Sequence, residues 1–128
     1  MIPISKDTKL EFFDETSNVT YSLRPLIGEN ESRVNVLRKK LAVLYVEAKN
    51  KGDKFTDEDQ EDFDRKNGRI IDEIFNMFLV GWIDNKGNEV KPEKPSESFN
   101  MREKDSFIAE YVFSGKINYL SVEQKKSL

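Results

Sequence analysis

Apolar and polar positions alternate with a period of two at the start of the chain. "KLEFFDE" (9–15) and "VTYSLRPL" (19–26) are short aromatic and β-branched runs separated by the polar "TSN". In the second run Val19, Tyr21 and Leu23 alternate with Thr20, Ser22 and Arg24, giving one apolar and one wet face. The pattern predicts a β-hairpin that stops at Pro25, which has no N–H to donate.

The period then lengthens. In "GENESRVNVLRKKLAVLYVEAKNKG" (28–52), Val34, Leu37, Leu41, Leu44 and Ala48 recur at helical spacing, and Tyr45 widens the stripe. Val36, Val43 and Val46 add apolar surface on flanking faces, so more than one packing neighbour is expected there. Glu29 and Glu31 at the start, and lysines before Gly52 at the end, suit the helix dipole. A second long helix is predicted over residues 55–83, carrying Phe63, Ile70, Ile71, Ile74, Phe75, Phe78 and Trp82. Thr56 with Asp59 resembles a capping box at its start. "KNG" at 66–68 is expected to kink or break it, since glycine costs about 1 kcal/mol in a helix interior.

"DNKGNEV" (84–90) reads as a turn with a short extended piece, and "KPEKPSES" (91–98) as a proline-interrupted loop. "MREKDSFIAEYVF" (101–113) predicts a shorter third helix with Phe107, Ile108, Tyr111 and Val112 on one face. The fold class is therefore α+β and mainly α. An N-terminal β-hairpin precedes two long amphipathic helices, a turn with a short extended segment, and a third helix. Residues 1–120 are expected to form one compact domain and 121–128 a frayed tail.

Composition narrows the chemistry. The chain has 128 residues, 24 acids against 21 bases, and neither cysteine nor histidine. Disulfides, Cys/His zinc sites, thiol nucleophiles and histidine-based triads are excluded. A net charge of −3, with the bases interleaved among acids, argues against a nucleic-acid module. No segment reads as a membrane span or signal peptide, so a cytoplasmic protein is expected. The acidic run "DKFTDEDQEDFD" (53–64) is not an EF-hand loop. Counted from Asp53 the sixth and twelfth positions are Glu58 and Asp64, and from Asp57 they are Asp62 and Gly68. Neither register supplies the required glycine and glutamate; the acids instead favour a helix N-terminus. No catalytic constellation emerges, and no cofactor or metal site is expected.

An interaction protein remains. Trp82 is either a core anchor or a partly exposed anchor for a partner. Ile117, Tyr119 and Leu120 are unusually apolar for a chain end. These four are the candidate partner-binding residues.

"FLVGWIDNKGNEV" (78–90) also resembles a segment of the small tail assembly chaperones of long-tailed, siphovirus-type bacteriophages and prophages. That segment has the loose form G-W-x-x-x-x-G-x-x-V, matched here by Gly81, Trp82, Gly87 and Val90. The opening "VTYSLRPLIGENESRV" resembles the family's strand leading into a first long helix, and the helix at 101–113 falls in the expected place. The resemblance implies a non-enzymatic chaperone that binds the long helical tape-measure protein and keeps it soluble. It would act in the cytoplasm of the bacterial host and be absent from the mature virion. It also implies a longer frameshifted form that recruits tail-tube subunits. "QKK" at 124–126 can be encoded over a slippery A-AAA-AAG heptamer, or is simply a basic tail. The alternative is another phage or mobile-element adaptor or regulatory protein without catalytic activity.

Overall fold

In the computed structural model the described residues are 5 and 7–117. The expected tail at 121–128 lies outside them. The N-terminal hairpin forms as its alternation requires: β1 (Leu10–Asp14) pairs antiparallel with β2 (Val19–Leu23). Asp14 fixes the turn, accepting from the Thr16 backbone N–H at 3.2 Å and the Ser17 hydroxyl at 2.7 Å. Asn18 completes it at φ 58°, a left-handed conformation that asparagine tolerates.

Helix α1 (Gly28–Lys51) and helix α2 (Asp57–Phe78) follow, joined through a 3-10 turn at Gly52–Lys54. Thr56 caps α2 in a reciprocal box with Asp59, as the sequence indicates. No break occurs at 66–68: α2 runs unbroken through Gly68. A Cβ there would sit 3.3 Å from Met101 Cε, so the missing side chain makes room for Met101.

The second helix ends earlier than its apolar periodicity implies. Residues 79–83, expected to be helical, form strand β3 (Leu79–Ile83) instead. The cause is tertiary. The Arg24 backbone N–H donates to the Phe78 carbonyl at 2.9 Å, and its guanidinium Nη1 donates to the Met77 carbonyl at 3.0 Å. One residue from the end of the hairpin, through its backbone and its side chain, thus satisfies orphan carbonyls at a helix terminus that has no basic residue of its own. β3 pairs antiparallel with β2, and β4 (Glu89–Val90) pairs antiparallel with β3. The hairpin therefore belongs to a four-stranded sheet of order β1-β2-β3-β4. Gly81 is needed where β4 leaves: an added Cβ would lie 2.4 Å from the Val90 carbonyl oxygen.

After a loop with a 3-10 turn at Pro95–Ser98, helix α3 (Met101–Phe107) starts from a second capping box, Asn100 with Glu103. It continues as a wider π-helical turn, Ile108–Phe113. The loop is tied to α2 by Asn76, whose Nδ2 donates to Ser96 Oγ at 2.9 Å and whose Oδ1 accepts from the Ser96 N–H at 2.7 Å. Lys104, nearly buried, reaches Asp72 and pins α3 to α2.

The helices cover one face of the sheet. Phe12, Tyr21 and Trp82 are direct cross-strand neighbours on that face. Their rings meet Tyr111, Phe107 and Phe99 at centroid distances of 5.3, 5.6 and 5.2 Å. Phe75 and Phe78 of α2, Leu23, Leu79 and Ile108 are sealed behind them in one core cluster. The opposite face carries Glu11, Phe13 and Thr20 and is open, with Phe13 exposed.

Candidate interaction surface on the helical arm

α1 has 24 residues, about 36 Å of helix at 1.5 Å per residue. Its first half enters the core through Val34, Leu37 and Leu41, and the second half of α2 does so through Ile71, Ile74, Phe75 and Phe78. Between Leu41 and Ile71 no residue is buried. The two helices continue beyond the core as an antiparallel arm, supported mainly by each other. Leu44, Ala48, Phe55, Phe63 and Ile70 are half-buried along their seam. Tyr45 and Phe63 meet edge-on at 5.2 Å. Val43, Tyr45 and Val46 are 54%, 58% and 55% exposed, a large apolar share for a free helix surface.

Ion pairs clamp the two helices together, one in the part rooted in the core and one near the tip of the arm. The Arg33 guanidinium donates twice to the Glu73 carboxylate, at 2.6 and 2.8 Å. Lys51 donates to Asp59 at 2.7 Å. The hydrogen bond from Arg33 holds the Glu73 carboxyl below its usual range, and that from Lys51 does the same for Asp59. Such exposed pairs contribute little to stability and are screened by salt.

Between the clamps lies an open groove of about 610 Å³. Val36, Val43, Leu44 and Ile70 form its floor, and Lys39, Lys40, Glu47, Lys66 and Arg69 its rim. The volume is that of a ligand-sized concavity, while its openness on one side suits an elongated occupant. The sequence flagged Val36, Val43 and Val46 as wanting a further neighbour; among the described residues none covers them.

The candidates taken from the sequence are placed elsewhere. Trp82 lies within the sheet, paired with Tyr21 and Val90, and is half-buried against Phe99. It packs in the aromatic layer from a strand, not from the second helix. Ile117 is sealed in the core, and its carbonyl accepts from the Leu26 N–H at 2.7 Å. That burial leaves it no side-chain surface for a partner. Tyr119 and Leu120 lie outside the described residues.

A second concavity of about 240 Å³ brings Asp14, Glu103 and Glu110 around Tyr21 and Tyr111. Burial, then the neighbouring carboxylates, pushes the Tyr111 phenol up to about 12. Burial likewise raises Tyr21. Phenols held neutral in this way do not act as bases near pH 7. Among the described residues no three acidic side chains converge to hold a metal ion. No helix among them is long and apolar enough to cross a membrane.

Compared with protein-family models, curated proteins and solved structures, the chain matches none.

Proposed function

We propose that this protein binds an apolar helical segment of another protein, as a tail assembly chaperone does for the tape-measure protein. The observation that carries the reading is the unburied apolar arm between Leu41 and Ile71. A helical hairpin that leaves valines and a tyrosine in water loses favourable burial unless a partner covers them. An amphipathic helix laid in a groove is the common solution. The partner is a protein rather than a nucleic acid, because the groove floor is apolar and acids outnumber bases, 24 to 21. In this reading the protein works in the host cytoplasm, needs no catalytic group, and is displaced when the tail assembles.

The test is co-expression with the product of a long, helix-rich reading frame beside the gene. The long protein should be soluble only when this chain is present, and the two should purify together. Val43→Glu should abolish that rescue while leaving this chain folded. Insolubility with and without the chain, or rescue indifferent to Val43→Glu, overturns the reading.

A further inference from the structure

The groove has an apolar floor and a cationic rim. Val36 and Val43 are one heptad apart on α1, with Lys39 and Lys40 between them, while Lys66 and Arg69 line the α2 side. Against these four cations the lining offers one carboxylate, Glu47. The excess is local, since the whole chain carries −3. Three other cations of these helices are paired: Arg33 with Glu73, Lys51 with Asp59, Arg65 with Asp62. On the rim only Lys66 has such a partner, Asp62 at 2.9 Å. Lys39, Lys40 and Arg69 make no ion pair among the described residues.

A third helix seated between two antiparallel helices sends its apolar seam into the floor and its flanking positions onto the rim. In coiled-coil packing those flanks set partner choice by charge. We propose that the groove seats one amphipathic helix of another protein, with apolar residues at heptad positions a and d and acidic residues at e and g. The inference rests on the client-binding reading of the arm and adds the chemistry of the client. A second copy of this chain docked groove to groove fits poorly, because a two-fold contact sets one cationic rim against another.

The experiment titrates the full chain into two labelled three-heptad peptides, both with leucine at a and d. One carries glutamate at e and g, the other lysine. We expect the glutamate peptide to bind at least about tenfold more tightly at low salt, with the preference shrinking as salt rises. Val43→Glu should weaken that binding by more than about tenfold, and the double variant Lys39→Glu, Arg69→Glu should reverse the preference. Circular dichroism and melting curves establish that both variants are folded; the substituted side chains are exposed. Equal binding of the two peptides, both lost in Val43→Glu, would overturn the charge assignment and leave the helix seat standing. No binding of either peptide, or binding indifferent to Val43→Glu, would overturn both. Sedimentation of the chain alone supplies a further outcome. A dimer formed by the native chain and lost in Val43→Glu would make a second copy the occupant and defeat the proposal.

Discussion

Trp82 shows how a residue's place depends on its neighbours. By spacing it extends the apolar face of a helix; in the structure it stands between Tyr21 and Val90 on a sheet and touches Phe99. Because the ring is half-buried, Trp82→Ala should destabilise by roughly 2–3 kcal/mol, short of the ~3–5 of a sealed aromatic. Urea unfolding measures it, and an unchanged midpoint would remove Trp82 from the core layer. Tyr111 makes stability depend on alkaline pH. Its folded pKa of about 12 lies above the ordinary 10, so the stability it confers is complete below pH 10. That contribution is lost as pH rises through about 12. Tyr111→Phe should flatten the alkaline limb of the stability curve. A limb as steep as in the native chain would assign the effect to another group.

At the level of elements, helix starts were more legible than helix ends. The Thr56 box could be read because cap and reciprocal acid are local, three residues apart. The end of α2 could not be, since Arg24 lies 53 residues away from Met77 in sequence. Gly68 failed in the opposite sense, because a residue that weakens an isolated helix is tolerated where Met101 packs over it. Gly68→Ala should therefore stabilise the protein by about 0.5–1 kcal/mol, the exposed Met101 side chain shifting to admit the methyl. A lowered melting temperature would show that the 3.3 Å approach cannot relax.

For the whole molecule, packing is uneven along the helical hairpin. The part rooted in the core holds Phe75, Phe78 and Leu37 sealed, whereas the arm beyond has no buried residue. Opening free energy follows burial, so amide hydrogen exchange should be fastest for residues 44–66 and slowest for 34–41 and 71–78 within these helices. A bound client helix should slow the arm most. Uniform protection in the free protein would show that the arm is as stable as the core and has no need of a partner.

The hairpin, the existence of three helices and the buried face of the third were legible along the chain, because each rests on short-range periodicity. The same periodicity marked Val36, Val43 and Val46 as surplus to one packing face. Long-range packing settled that residues 79–83 join the sheet, that Ile117 is interior, and that Val36 and Val43 line an uncovered, cation-rimmed groove. Those outcomes depend on which distant segment supplies a hydrogen bond or covers a surface, and periodicity within one segment carries no record of its neighbours.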